Sequence, residues 1–244
     1  METVKTEDLT VTGIEAWLRI ARVAAIVVVV WATVLQLTAG VLIPPVLAVG
    51  VVFGALVPFL GRERRLAGLV AAVLGVAAVG GNVPSLLEEL SHPSSAQAFI
   101  FTLVAASASV VLIVAGTAAF YRRSANPAAV MWLWAGVVFA GSLGSLLAAG
   151  AVESTRPADG DVTVVAKAND FSPDPIVVLP GRIGVWIDNR DGARHTFTAP
   201  ELGIDTEITG LKSQRAEFNA TPGHYAVFCR VVGHEDMTAT LVVG

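Results

Sequence analysis

Between residues 23 and 151 the chain carries only eight charged side chains, histidine aside: Arg62, Glu63, Arg64, Arg65, Glu88, Glu89, Arg122 and Arg123. They fall in three short clusters, and the stretches between them are apolar. A bilayer core asks for roughly 20 mostly apolar residues per helical span. Five segments meet that demand, at about 15–37, 41–60, 65–83, 97–121 and 127–151. The second holds Pro44, Pro45 and Pro58, which predicts a late start and a kinked end. The third, Leu66 to Gly81, is the shortest and is rich in Ala and Gly.

The basic clusters orient the bundle. Arg62, Arg64 and Arg65, then Arg122 and Arg123, mark cytoplasmic loops, and the alternate loops carry no Lys or Arg. With five spans the N-terminus is cytoplasmic, and everything after 151 lies outside the cell membrane. Arg19 and Arg22 stand at the cytoplasmic start of span one, where long side chains snorkel. A competing reading takes Arg19 to Gly40 as a cleaved signal peptide, which leaves four spans and the same outside domain. The polar leader and long apolar run favour an uncleaved anchor.

No Asp, Glu, Lys or His lies in mid-span, which argues against a pump or proton-coupled transporter. The four histidines (92, 195, 224 and 234) lie outside the spans, so no axial pair for a haem is available there. Gly68, Gly75, Gly80, Gly141 and Gly144 give small-residue spacing for close helix packing, within the bundle or against another subunit. Glu88, Glu89 and His92 fall in an outer loop. A short interfacial helix from Pro84 to Leu90 would place Glu88 and His92 on one face, as a second metal site requires, but a solvated loop is the favoured reading.

From 152 onward the character changes. Thirteen acids face eight bases, a net −5, in a region with ordinary polarity. Such a balance offers no basic stripe for nucleic acid. Residues 152–160 read as a polar linker that tethers the following domain and leaves it free to reorient. Residues 161–244 show short strands (162–165, 176–179, 183–187, 216–218, 225–228 and 240–243) separated by Pro, Gly and Asp turns. That spacing predicts an all-β sandwich. The single cysteine, Cys229, excludes an intramolecular disulfide.

The order of motifs in this region resembles cupredoxins of the plastocyanin–azurin class. Asp170-Phe171-Ser172-Pro173, Pro180-Gly181 and Asn189-Arg190-Asp191 lead to His195-Thr196. Pro222-Gly223-His224-Tyr225, Phe228-Cys229 and Gly233-His234-Glu235-Asp236-Met237 follow. The resemblance covers 161–244 and none of the spans. It implies a Greek-key sandwich and one copper ion held by His195, Cys229, His234 and an axial Met237. Two imidazoles, a thiolate and a weak thioether serve both Cu(I) and Cu(II). Only Glu235 and Asp236 separate His234 from Met237, a closer spacing than is usual in the family. Gly233 stands where the binuclear relatives in haem–copper oxidases have a second cysteine, so a mononuclear site is expected. His224 reads as a solvent-facing hairpin residue.

The resemblance implies an electron carrier rather than an enzyme. It would be bound to membrane lipid and exchange electrons with redox proteins or a membrane respiratory complex. Val231, Val232 and Gly233 are expected to form a small apolar docking patch. Copper capture and delivery, and an accessory role in a larger membrane complex, are the alternatives. With only three methionines, Met1, Met131 and Met237, the first is disfavoured.

Overall fold

The computed structural model describes residues 3–39, 42–61, 65–121 and 126–244. Arg62, Glu63, Arg64, Arg122 and Arg123, the charges that orient the expected topology, lie outside the described residues. The chain divides into two compact units, Met1–Leu86 with Phe101–Gly141, and Leu87–Ile100 with Ser142–Gly244.

Among the described residues six helices precede the strands: α1 (Thr3–Ala39), α2 (Pro44–Leu60), α3 (Arg65–Gly80), α4 (Val83–Leu90), α5 (Ala96–Phe120) and α6 (Pro127–Ala151). Among the described residues, three stretches are long and apolar enough to cross a membrane: Gly13–Thr38, Ala96–Phe120 and Pro127–Ala151. The pair Arg65–Gly80 and Val83–Leu90, bent by 66°, makes a fourth if it counts as one span. Helix α2 has 17 residues and begins at Pro44, where proline's missing N–H costs a first-turn residue nothing. Its Pro58 sits in the last turn, so the helix ends at Leu60.

In the first unit, Trp17, Leu18, Ala21, Ala24, Ala25 and Val28 of α1 pack with Phe53, Leu56 and Leu60 of α2. Where α3 meets α5, small residues set the distance. A Cβ at Gly68 would run into the Gly116 carbonyl and Ala119. One at Gly75 would meet Ser109 O and Ile113. Both glycines are therefore packing positions within the bundle. Gly141 lies against Leu103, whereas Gly80 and Gly144 face open space.

The second unit holds nine strands: β1 (Val162–Lys167), β2 (Asp170–Ser172), β3 (Ile176–Val178), β4 (Gly181–Asn189), β5 (His195–Ala199), β6 (Ile204–Ile208), β7 (Ser213–Ala220), β8 (Gly223–Phe228) and β9 (Thr238–Val243). They form one sheet in the order β2-β1-β4-β7 and another in the order β3-β9-β8-β5-β6. The β1–β4 and β3–β9 pairs are parallel, and the rest are antiparallel. Alternate residues of β4 (Ile183, Val185, Ile187 and Asn189) turn inward. Val164, Phe171, Ile176, Phe197, Ile208, Val227 and Leu241 complete one core. Phe171 and Phe197 meet edge to face at 5.7 Å, the arrangement their ring quadrupoles favour.

Three strands are additions to the sequence reading: β2, β5 and β6. The linker also differs from its expected freedom. Thr155 N–H donates to Ser213 O at 3.0 Å, and Ser213 N–H donates to Ser154 Oγ at 3.3 Å. Trp186 Nε1–H reaches Thr155 O at 2.9 Å. The residues before β1 are thus strapped across β4 and β7.

Candidate metal centre

Strand β5 brings His195, and the loop after β8 brings Cys229, His234 and Met237. His195 is fully buried, Cys229 is 4% exposed, and His234 is half-buried. The alternation expected along β8 holds: Val227 and Cys229 face the core, and His224 is exposed. The loop closes on itself. Cys229 N–H donates to Met237 O at 3.0 Å, His234 N–H to Val231 O at 3.0 Å, and Met237 N–H to His234 O at 2.9 Å. Gly233, at φ +88°, makes the left-handed step that a side chain would resist.

Cys229 Sγ lies 3.8 Å from His195 Nδ1 and 3.8 Å from His234 Nδ1. The three candidate donor atoms all fall within 4.8 Å of one another. Metal–sulfur and metal–nitrogen bonds of about 2.3 and 2.0 Å, the lengths zinc makes, would at a trigonal angle separate S and N by roughly 3.7 Å. The observed spacing therefore admits one ion between the three atoms. Two imidazoles and a thiolate are the equatorial set that suits copper in both oxidation states. This His-Cys-His group can hold one copper ion. Met237 is fully buried in the same loop.

The surrounding residues prepare the donors. Burial raises the Cys229 thiol pKa, but hydrogen bonding with His195 and His234, and from the Thr196 and Val231 N–H groups, outweighs it. The thiol is brought down to about 5, so the thiolate form prevails at neutral pH. Thr196 N–H points at Sγ at 3.3 Å. His195 Nε2 pairs with Asp191 Oδ2 at 2.9 Å. That bond keeps the proton on Nε2 and turns Nδ1 toward Cys229.

Asp191 also accepts the Ala168 and Asn169 N–H groups at 2.9 and 3.3 Å, holding the β1–β2 turn, where both residues have positive φ. Asn189, 2% exposed, ties the same region together. Its Nδ2 donates to Ala193 O, Ile208 O and Thr209 O at 2.9, 3.1 and 3.2 Å. Its Oδ1 accepts Asp191 N–H at 2.9 Å. In the sequence, Asn189 and Asp191 are signposts before His195. In the structure they are its supports.

Two expectations change here. Val231 is 1% exposed and belongs to the core, so of the expected docking patch only Val232 and Gly233 face solvent. The segment carrying Glu88, Glu89 and His92 is not a solvated loop. Arg194, the residue before His195, pairs with Glu88, and also with Glu207 at 3.2 Å. Ser95 is fully buried, and its Oγ accepts Gly210 N–H at 3.2 Å. A Cβ on Gly192 would strike the Gln97 side chain. The His92 Nδ1 is taken up locally by Glu88 O and Ser91 Oγ, at 2.8 and 2.9 Å. Among the described residues, the His195–Cys229–His234 group is the one cluster with metal-binding spacing.

Residues 129–243 match the family model described as cupredoxin-like domain. Structural neighbours include two reduced mutants of amicyanin. One, a tryptophan-to-tyrosine variant, is 19% identical, with 36% of this chain and 87% of that chain covered, at a TM-score of 0.31. The other, a proline-to-phenylalanine variant, is 21% identical, with 38% and 90% covered, at 0.32. A copper-containing nitrite reductase from Thermus scotoductus SA-01 is 22% identical, with 38% of this chain but 24% of that one covered, at 0.29. No curated protein matches the chain. The C-terminal region thus matches a cupredoxin-like domain model, and helices apolar enough to span a membrane precede its strands.

Proposed function

We propose that this chain is a membrane-anchored mononuclear copper protein that passes electrons on the outer face of the membrane. The observation that carries the reading is the convergence of His195 Nδ1, Cys229 Sγ and His234 Nδ1 in a buried pocket of a cupredoxin-like sandwich. Copper, when bound there, supplies one-electron chemistry between Cu(I) and Cu(II). The protein's part is to fix the donors. Asp191 sets the His195 tautomer, Thr196 and Val231 direct N–H groups at the thiolate, and the core excludes water. Half-buried His234, with Val232 and Gly233 beside it, is the edge through which a redox partner gains access. The test is the full-length chain, purified in detergent, titrated with Cu(II) and followed by visible and paramagnetic resonance spectra. A strong thiolate-to-copper band at one ion per chain is expected. A colourless Cu(II) complex overturns the reading.

The helices α1, α2, α3, α5 and α6 act in this reading as five spans, with the N-terminus inside. At 1.5 Å per residue, α2 and α3 reach only about 25 Å, short of a ~30 Å hydrocarbon core. Thinning of the bilayer and snorkelling by Arg65 offset that deficit. The inclusion of Leu87–Ile100 and the strands in one compact unit supports a common side for both. Protease added to right-side-out vesicles should remove the cupredoxin-like domain. Its protection until the vesicles are lysed would overturn the orientation.

Met237 is the proposed axial ligand. Leucine there should keep the blue band, because the three equatorial donors remain, and should raise the reduction potential by adding apolar surface. Glutamine offers a harder oxygen donor that favours Cu(II), and should lower it. Redox titration of both variants checks this. If Met237 only packs, the two potentials will coincide with the parent's, and the polar variant will simply melt earlier.

A further inference from the structure

Glu89 is a half-buried carboxylate to which electron transfer by His195, Cys229 and His234 assigns no part. Its Oε2 is shielded from solvent and has no hydrogen-bond partner among the described residues. The segment that carries it is fixed to the cupredoxin-like domain at three points. Glu88 pairs with Arg194, Ser95 Oγ accepts Gly210 N–H, and Gln97 fills the space over Gly192. Arg194 adjoins His195 in sequence, so the anchor lies beside a metal donor. Burial raises the Glu89 carboxyl above its ordinary range, and His234, His92 and His195, within electrostatic reach, oppose that rise.

We infer that Glu89, delivered from the α4–α5 segment and held by the Glu88–Arg194 pair, is a fixed negative charge that sets the reduction potential of the copper centre. The inference rests on the copper reading above. A Cu(II)–thiolate centre carries one more positive charge than its Cu(I) form, so a nearby carboxylate stabilises the oxidised state and lowers the potential. The other carboxylates near the centre are either hydrogen-bonded or ion-paired, or, like Glu235 and Asp236, exposed to solvent and more strongly screened. Arg194 is offset by Glu88 and Glu207, and Asp191 is satisfied by His195, Ala168 and Asn169. A unit charge about 10 Å away, at an effective dielectric of about 20, shifts a one-electron equilibrium by roughly tenfold or more. Salt screens a buried charge weakly. The strands alone do not supply this charge: it comes from the Leu87–Ile100 segment, which belongs to the same compact unit as the strands.

The experiment is spectroelectrochemical titration of the copper-loaded full-length chain in detergent. Glu89→Gln and Glu89→Ala neutralise the charge with different volumes. Both should move the equilibrium about tenfold toward Cu(I), a rise of about 59 mV for a one-electron couple. Glu89→Asp keeps the charge and should stay within about twofold of the parent. A merely structural Glu89 would alter melting without this dependence on charge. Equal potentials in the parent and both neutral variants overturn the inference and leave the copper reading standing, as does an Asp variant that shifts with them. A parent chain without the blue band overturns the copper reading and this inference together.

Discussion

Cys229→Ser is expected to abolish the visible thiolate band and to weaken copper binding by far more than the roughly 10–100-fold that loss of a supporting partner costs. Serine has nearly the same shape, so the 4%-exposed site and the sandwich around it should persist. The chemistry does not persist. Cys229, brought down to about 5, offers a thiolate at neutral pH without first losing a proton. A serine hydroxyl stays protonated there and is a hard donor that serves Cu(I) poorly. The Thr196 N–H, now 3.3 Å from Sγ, would face a neutral oxygen instead of an anion. Copper titration followed by absorbance and by metal content per chain measures both effects. Retention of the band in the serine variant would remove Cys229 from the donor set.

His195, Cys229 and His234, the candidate donors that the fold brings together, stand out in the sequence because their chemistry is rare and their order is distinctive. The supports were harder to read, for identifiable reasons. Strand β5, His195-Thr196-Phe197-Thr198-Ala199, has every residue buried, so it lacks the alternation that marks a half-buried strand. Its threonines are covered rather than exposed. Thr196 Oγ1 accepts Arg230 N–H at 2.8 Å, and Thr198 Oγ1 donates to Asp205 Oδ1 at 3.0 Å and lies 3.0 Å from Thr196 Oγ1, whose hydroxyl it can accept. Arg230 then closes over Asp205 in an ion pair. Pairing of this kind depends on β6 and the loop after β8, distant in sequence, and no local pattern reports it. The same holds for Glu88 and Arg194, separated by more than a hundred residues. Read alone, each is an ordinary surface charge in a loop. Only the fold shows that they are partners. The helical half was read from composition, which locates apolar helices well but does not count the stretches able to cross a membrane. The 17 residues of α2 and the bend between α3 and α4 are features of geometry that hydropathy does not encode.

Asn189→Ala should be strongly destabilising although Asn189 is not a candidate donor. The side chain is 2% exposed, and its two Nδ2 protons are shared among the carbonyls of Ala193, Ile208 and Thr209. Its Oδ1 accepts Asp191 N–H. Alanine removes all four interactions and leaves buried carbonyls with no replacement donor. At about 1–3 kcal/mol for each polar group left unsatisfied, partly relieved by relaxation, the cost is about 3 kcal/mol or more. For a domain of this size that corresponds to a melting shift on the order of 15 °C. Asn189→Asp should be worse despite its matching shape. It sets a carboxylate oxygen against the three carbonyl oxygens in a site that cannot solvate the charge. Asn219→Ala, on the exposed face of β7, should stay within about 0.5 kcal/mol of the parent. The damage also reaches the metal centre. Asn189 positions the Asp191 backbone, and Asp191 fixes the His195 tautomer, so the copper-loaded alanine variant should show a weaker band even below its melting point. Thermal melts of the full-length chain, followed at the copper band and by the near-ultraviolet signal of Trp186, measure both effects. If the alanine variant melts within about 2 °C of the parent, a shift worth under about 0.5 kcal/mol, Asn189 does not hold this turn, and the positioning of His195 must come from Asp191 and the strands alone.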